Sequence, residues 1–571
     1  MIKKNKIVLI FSLITMFGAI TLHAQTQKNA KKAAVADTSK TEVTQQIEVV
    51  RAYKPVLADA LKIRRNPDLT DIKPTTPKIT YNLLDKRLEL NTDIRELQIQ
   101  KIRKLSTEEL KNNYAKIGLG NLGTTLAQLN LATGQDQALQ AGFNFNHLAQ
   151  KGKLNQQNTS QQTASVYGKS IGDKLVLLGN LQYNRRTNYF YGIDEMQTFS
   201  NLNPQQQKIN LFEANAQIYK RLFASDSNQL AFASKINAYH LNNIFNGIEN
   251  NVTLSAGASK NLQKFQGGAN AVVDITNTKD INYQLGNHLV KLNPYIKLDG
   301  DRFKLTAGLN YVNEFGTNQR IHIFPNASID YVLIADYLTL FGQLNGDVYK
   351  TRVKDLVAQN PFLNVNPRIK NTVEKLNISG GVRGTILPNV GFKAMVKSTS
   401  VSDFQYFLNN IDEKQKFDIA YDDANILNFT GEINAKFSDN FSLDTKADFN
   451  QYTLSKQAYA WFNPALKLNT TASVKITEKV KLEADFYYQS LTKALVLNYP
   501  DPLAFSPPGY NPNTITTLPS FVDIGLGINY AYNKKFSAFA KANNLLNKQY
   551  QQFLYYPNFG LNVLGGISYS F

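Results

Sequence analysis

The chain contains no cysteine and little histidine. The absence of cysteine from its 571 residues excludes disulfide bonds, thiolate metal ligands and a lipid anchor on a cysteine. The five histidines are scattered, and none has the spacing of a metal site. No residue pattern points to a catalytic site, and no glycine-rich stretch has the context of a phosphate-binding loop. The sequence therefore predicts no cofactor, no metal and no enzymatic activity.

Long apolar runs are missing as well. After residue 24, no segment approaches 18 consecutive apolar residues, which excludes a transmembrane helix there. Before it, Lys3, Lys4 and Lys6 precede an apolar run of 16 residues, from Ile7 to Leu22. We interpret residues 1–24 as a signal peptide cleaved after Ala24, because the run is short for a membrane span. An uncleaved anchor is the alternative.

What the chain has instead is a two-residue alternation of apolar and polar side chains from about residue 109 onward. The clearest case is a hairpin in which Leu466 to Ile476 and Val480 to Phe486 flank a short turn. The terminal residues repeat the pattern, because Ile567, Tyr569 and Phe571 share one face. Such alternation is typical of strands with one apolar face. A soluble β-sandwich also alternates, but its strands are usually about five or six residues long.

Two features favour a barrel over a sandwich. The segments are long, and their connections alternate between tight turns and long loops. The long loops are predicted at 188–206, 351–371, 408–424, 491–518 and 547–559. Short periplasmic turns and long outer loops characterise outer-membrane barrels. Counting back from Phe571 and splitting a segment at 120–123 gives 22 strands. The predicted fold is all-β: a transmembrane antiparallel β-barrel of about 22 strands, formed by residues 109–571, in the cell outer membrane.

Residues 25–108 differ from the barrel. They begin with a polar tether, and four prolines, at positions 55, 67, 74 and 77, prevent long regular elements. We interpret this stretch as a short periplasmic segment and a possible reduced plug. One small apolar patch stands out in it, formed by Ile47, Glu48, Val49, Val50 and Arg51.

The charge balance is basic. The formal net charge is +19, yet no compact stripe of lysine and arginine suggests nucleic acid. An anionic membrane surface, meaning outer-membrane lipid and lipopolysaccharide, is the partner that this charge favours. Charge simply scattered over loops and lumen is the alternative.

Three passages resemble the TonB-dependent receptor barrel. Residues 542–550, with Asn544, Leu545 and Tyr550, followed by a last strand ending in Phe571, are similar to the family's C-terminal signature. The turn at 118–124 resembles the glycine turn between its first two strands, and the patch at 47–51 resembles its TonB-contacting box. The start of the barrel, residues 114–121, is similar to plug-poor barrels of this kind found in Bacteroidota. The resemblance implies a receptor for an unidentified ligand.

The first hypothesis is therefore an outer-membrane receptor or transporter. Ile47, Glu48, Val49, Val50 and Arg51 are the candidate energy-coupling box, with TonB as the implied partner. A structural or docking barrel and a passive diffusion pore are the alternatives.

Two further sets of residues are predicted to act in this receptor. The candidate ligand loops combine aromatic and arginine residues, which dominate binding sites: Arg185, Arg186, Tyr189, Phe190, Tyr191, Tyr499, Phe505 and Tyr510. An aromatic girdle at the membrane interface is the alternative reading of Tyr189 and Tyr191. Ile567, Tyr569 and Phe571 are the candidate assembly signal for the barrel-assembly machinery.

Overall fold

The structure is a computed structural model that describes residues 113–133, 138–193, 203–221, 229–499 and 513–571. The predicted boundaries at residues 24 and 108, and the patch at 47–51, lie outside the described residues. Among the described residues, no helix is long and apolar enough to cross a membrane.

Nearly every described element is a strand. The first thirteen are β1 (Tyr114–Gly120), β2 (Thr125–Ala132), β3 (Leu139–Lys151), β4 (Asn158–Ile171), β5 (Leu175–Tyr189), β6 (Gln206–Lys220), β7 (Ala231–Asn243), β8 (Ile248–Leu262), β9 (Phe265–Lys279), β10 (Gln284–Asp299), β11 (Phe303–Gly316), β12 (Arg320–Ile334) and β13 (Leu338–Tyr349). A short helix, α1 (Val353–Gln359), follows. The others are β14 (Thr372–Leu387), β15 (Val390–Asn409), β16 (Phe417–Ser438), β17 (Phe441–Leu454), β18 (Leu466–Lys475), β19 (Val480–Gln489), β20 (Thr492–Val496), β21 (Thr514–Leu518), β22 (Phe521–Ala531), β23 (Phe536–Asn543), β24 (Gln551–Phe553), β25 (Tyr556–Pro557) and β26 (Asn562–Ser570).

Twenty-two of the strands close into an antiparallel barrel, and we call these wall-forming strands staves. Each strand from β1 to β19 pairs with the next, β19 pairs with β22, and β22, β23 and β26 complete the circle. β26 returns to β1, where Tyr114 lies opposite Ser570 and Gly120 opposite Leu564. The pairs β20–β21 and β24–β25 are hairpins within two of the connections. The predicted strand number and the split at 120–123 are confirmed.

Glycines let the seam between β1 and β26 close tightly. A Cβ atom on Gly566 would lie 2.0 Å from the carbonyl oxygen of Ile117, and one on Gly120 would lie 2.4 Å from that of Val563. Any larger residue at these two positions would push the first and last staves apart. The barrel can therefore close only because these positions lack side chains.

The two ends of the barrel differ. One end holds the start of β1 and the end of β26, and we call it the terminal end. There, tight connections such as 263–264, 300–302 and 388–389 join the strands. At the opposite loop end lie the long connections 190–205, 350–371, 490–520 and 544–561. By the rule for outer-membrane barrels, the terminal end faces the periplasm. The predicted long loop at 408–424 is wrong: β15 and β16 extend into it, and only 410–416 connect them.

The outer face of the wall is apolar. Along β8, Val252 and Leu254 are exposed outward, whereas Glu249 and Asn251 are buried on the lumenal side. On β26, Val563, Ile567 and Phe571 lie on the exposed outer face. A closed sheet satisfies every backbone hydrogen bond within the wall, so its apolar exterior can face lipid. The barrel is thus an outer-membrane protein, and its polar side chains line the lumen.

Candidate functional site

The connection from β13 to β14, residues 350–371, folds into the lumen. Its residues contact side chains of β5, β6, β8 and β9, which lie at least four staves away around the wall. A segment can reach those staves only by crossing the barrel interior. We call residues 350–371 the crossing loop. It carries α1, the only helix among the described elements.

A buried glutamate on the wall holds the start of α1. Glu249 is fully buried, and its carboxylate accepts hydrogen bonds from the backbone N–H of Val353 at 2.8 Å and of Lys354 at 3.1 Å. The hydroxyls of Tyr239, at 2.8 Å, and Thr278, at 3.0 Å, also donate to it. A carboxylate satisfies the free N–H groups of a helix start and complements its dipole. α1 therefore forms here because the wall supplies its cap.

Two more wall carboxylates pair with cations of the crossing loop. Asp274 pairs with Lys350 and Arg352, and Glu213 accepts from Lys354 Nζ at 2.7 Å. Burial lowers the pKa of Lys350 to about 8, although the charge of Asp274 opposes this change. We call one set of six side chains the polar lock. It consists of the wall carboxylates Glu213, Glu249 and Asp274 and the loop cations Lys350, Arg352 and Lys354. Buried charges must be paired in this way, because an unpaired one is costly.

The far end of the crossing loop is anchored separately. Asn371 is fully buried and donates to Asn287 Oδ1 at 2.8 Å and to Glu314 Oε2 at 2.7 Å. Asn287 in turn donates to Asn371 Oδ1 at 2.8 Å. Arg320 donates to Glu314 at 2.9 Å and to Asp403 at 2.8 Å. Both ends of the loop are thus fixed to the lumenal wall.

Apolar packing supports the loop between its anchors. Val353, Leu356 and Val357 form the buried stripe of α1. They pack in one cluster with Tyr239 and with apolar wall side chains that face the lumen: Ile209, Leu241 and Ile419. A polar lumen offers few such contacts, so this cluster marks the part of the wall shaped to receive the helix.

Aromatic side chains from several loops, the crossing loop included, pack together at the loop end of the barrel. Phe362 and Tyr556 stack with ring centroids 3.5 Å apart, and Tyr191 meets Tyr556 edge-on at 5.0 Å. Phe190 and Phe417 complete the buried part of the cluster, with Phe462 and Phe553 packed against it. We call these seven rings the aromatic cap. It joins the connections after β5, β13, β17 and β23 to the start of β16.

Hydrogen bonds fix the orientation of the cap. The hydroxyl of Tyr191 donates to the carbonyl of Pro557 at 3.1 Å, and that of Tyr556 donates to the carbonyl of Gln415 at 2.5 Å. Burial raises the pKa of Tyr191 to about 12, so the phenol stays neutral and keeps its donor. The cap is therefore a packed and hydrogen-bonded cluster at the loop end of the barrel.

The candidate ligand residues at the end of β5 lie in three different locations. Arg185 lies on the outer register of the strand, whereas Arg186 faces the lumen and donates to Asn188 Oδ1 at 3.1 Å. The hydroxyl of Tyr189 accepts from Gln206 at 2.9 Å. Phe190 and Tyr191 are buried in the aromatic cap. Ligand contact at these two rings thus requires the cap to open.

The other candidate positions are spread more widely. Tyr499 is exposed, and its hydroxyl donates to Asp412 Oδ1 at 2.9 Å. Phe505 and Tyr510 lie outside the described residues, as does the candidate energy-coupling box. Of the assembly signal, Tyr569 stacks near Phe571 at 5.6 Å on the last stave.

Sequence reasoning missed the residues of the polar lock. One signal for them is present: Lys350, Arg352 and Lys354 occupy alternate positions at the start of the segment that carries the apolar stripe. In the part of the chain that the structure describes, no group of three or more histidine and acidic side chains is arranged to hold a metal ion. The arrangement places a packed loop and several paired charges within the lumen.

Known structures share this architecture. The pyoverdine outer-membrane receptor FpvA of Pseudomonas aeruginosa superposes with a TM-score of 0.57 at 11% identity, covering 81% of this chain and 78% of that one. The ferric-catecholate import receptor Fiu of E. coli gives 0.59 at 8% identity, covering 81% and 82%. The copper transporter OprC gives 0.57 at 13% identity, covering 80% of each. No protein-family model and no curated protein sequence matches the chain. At these identities the likeness establishes the fold alone: the large β-barrel that these receptors and this transporter share with the chain.

Proposed function

We propose that the protein is an outer-membrane receptor that imports an unidentified ligand through its lumen, driven by a TonB-type energy-coupling protein. The observation that carries the proposal is that the crossing loop and the aromatic cap pack together at the loop end of the barrel. Packed loops that reach into the lumen suit a transporter that opens on demand better than a permanently open pore. The receptors and the transporter that share the fold support the same class of function.

A passive pore is the alternative that this packing disfavours. Reconstituted in a planar bilayer, the full-length protein is expected to show no steady ohmic conductance, because the crossing loop packs within the lumen. A stable, voltage-independent open conductance of porin size would instead assign the protein to passive diffusion.

Energy coupling is tested at the apolar patch of residues 47–51. An extended, β-branched segment can add as a strand to a partner, with backbone hydrogen bonds supplying the affinity. We expect the full-length protein in detergent to retain the periplasmic domain of TonB on a column, and Val49→Pro to lose this retention, because proline removes a backbone donor. Ala34→Pro, in the polar tether, is the matched control and should bind normally.

The same experiment separates the hypotheses. Retention by the control and not by Val49→Pro supports energy-coupled uptake. If the unaltered protein fails to retain TonB, or if Val49→Pro retains it fully, then coupling through this patch is refuted and a docking barrel becomes the better assignment.

Assembly is the second partner interaction that we propose. Phe571 lies exposed at the end of the last stave, beside Tyr569. Deleting Phe571 should sharply lower the amount of heat-modifiable barrel in outer-membrane fractions, because the assembly machinery loses its recognition residue. Ser570→Ala, on the lumenal register of the same stave, should insert normally. Equal insertion of both variants would rule out this role for Phe571.

A further inference from the structure

A polar cavity of about 180 Å³ lies on the lumenal wall beside the crossing loop. Strands β7 and β8 form one side of it, with Lys235 and Ser255, and the start of α1 forms the other, with Arg352, Lys354 and Asp355. Drug-sized ligands need pockets of about 300–1,000 Å³. The cavity therefore suits one chemical group of a ligand rather than an entire molecule.

The cavity is lined by more positive than negative side chains. Lys235, Arg352 and Lys354 are the cations, and Asp355 is the carboxylate. The N-terminus of α1 does not contribute, because the carboxylate of Glu249 already occupies its N–H groups. Any anion held here would be bound by side chains.

Two of the donors in this cavity have no acceptor. The terminal nitrogens of Arg352 pair with Asp274 and Asp355, but its Nε is buried without a hydrogen-bond partner. Lys235 forms no ion pair with any residue of the described ranges. Lys354, in contrast, is engaged by Glu213 at 2.7 Å. Lys235 is exposed, so its ammonium can meet an incoming oxygen ligand directly.

We propose that this cavity binds an oxyanion group, a phosphate or a carboxylate, of the ligand that passes through the lumen. The proposal rests on the proposed function, since it names the chemical class of the imported ligand. Lys235 would donate to the anion, and the Ser255 hydroxyl lies on the same wall to join it. Charge-assisted hydrogen bonds of this kind are the strong ones.

The test is calorimetric titration of the purified full-length protein in detergent, which requires no transport and no TonB. Inorganic phosphate and sodium citrate are the two anionic probes, and glucose at the same ionic strength is the neutral one. We expect one or both anions to bind, and Lys235→Gln to weaken that binding by about ten-fold or more, because a charge-assisted hydrogen bond is lost. Phosphate binding without citrate binding would identify the group as a phosphate, and the reverse as a carboxylate.

The control is Lys260→Gln, which removes an exposed lysine from the outer register of β8. It should leave the affinity unchanged, and heat-modifiable migration will confirm that both variants form barrels. The inference is overturned if neither anion binds, if Lys235→Gln binds as well as the unaltered protein, or if Lys260→Gln weakens binding equally. Loss of TonB retention with anion binding intact would refute energy coupling and leave this site standing.

Discussion

The polar lock and the aromatic cap hold loops at the same end of the barrel by opposite chemistry. In the lock, three wall carboxylates each take fixed partners from the crossing loop, and Glu249 alone accepts four hydrogen bonds. In the cap, rings from several loops pack together, and Phe362 stacks on Tyr556 at 3.5 Å. The lock joins the loop to the wall, whereas the cap joins loops to one another.

This difference predicts how each closure opens. A buried charge network depends on every partner, since removing one leaves others unpaired in a site of low polarity. Apolar packing is less directional, and its rings can find new contacts after a small shift. The lock should therefore release the crossing loop in one step, whereas the cap should loosen gradually. A transporter with both can admit a ligand through the cap before the lumen opens.

The largest effect is expected from breaking the lock at its centre. Glu249→Ala leaves the N–H groups of Val353 and Lys354 and the Tyr239 hydroxyl without their acceptor, at a cost of about 4 kcal/mol to loop docking. Hydrogen exchange of residues 353–359 should rise strongly. The barrel should stay heat-modifiable, because the substitution keeps the backbone pairing of β8 with its neighbours. Steady channel conductance should appear in planar bilayers.

The control for this prediction is another lumenal glutamate. Glu432 lies on β16, with lysines 3.8 Å away, too far for a hydrogen bond. Glu432→Ala should leave both the exchange and the conductance unchanged. If residues 353–359 were protected from hydrogen exchange in Glu249→Ala as well as in the unaltered protein, apolar packing alone would hold the crossing loop. The distinction between lock and cap would then fail.

The next effect is expected in the cap. Phe362→Ala removes the ring that stacks on Tyr556 and meets Tyr191, at a cost of about 3 kcal/mol to cap packing. Trp461, the only tryptophan of the chain, is buried in a neighbouring loop and reports on this region. Its emission should shift to longer wavelength, whereas exchange at 353–359 should change much less than in Glu249→Ala.

Phe437→Ala is the matched control, because Phe437 stacks on Phe441 and is exposed on the outer wall. It should leave the tryptophan emission unchanged. If Phe362→Ala released the crossing loop as completely as Glu249→Ala, the two closures would be one cooperative unit.

The wall was predictable from the sequence because its signal is local. Alternation and turn residues specify a stave without knowledge of its neighbours, so the hairpin from Leu466 to Phe486 was located correctly. The loop at 408–424 was wrongly placed, since β15 and β16 keep alternating beyond the point where turn-forming residues first appear. The first apolar residues of β16, Phe417 and Ile419, are buried in the same clusters as residues of the crossing loop.

The closures were not predictable, because their partners are far apart in the chain. The helix α1 spans only seven residues, and the Glu249 cap is 104 positions from Val353. Aromatic residues at 190 and 191 were singled out by type. The edge-on contacts of Tyr191 with Phe362 and Tyr556 depend on the paths of three loops, which no local pattern encodes. Whether the aromatic residues at 190 and 191 contact ligand stays a prediction.

The smallest effect is expected at the most expendable cation of the lock. Asp274 keeps Arg352, Asn251 and Thr276 as partners when Lys350 is replaced. Since burial lowers the pKa of Lys350 to about 8, its charge costs free energy in the docked loop. Lys350→Met should therefore leave exchange at 353–359 nearly unchanged at pH 7, or slow it slightly.

The lowered pKa of Lys350 determines the direction in which docking of the crossing loop changes with pH. The undocked loop exposes Lys350 to water, where its pKa is 10.5, so between about pH 8 and 10.5 the undocked state holds the proton that the docked state has lost. Docking should consequently strengthen as pH rises through that window and weaken as pH falls toward 8. The ratio of exchange rates in Lys350→Met to those in the unaltered protein, compared pH by pH, should rise across it. A flat ratio would show that Lys350 stays charged when docked, and that Asp274 compensates its burial in full.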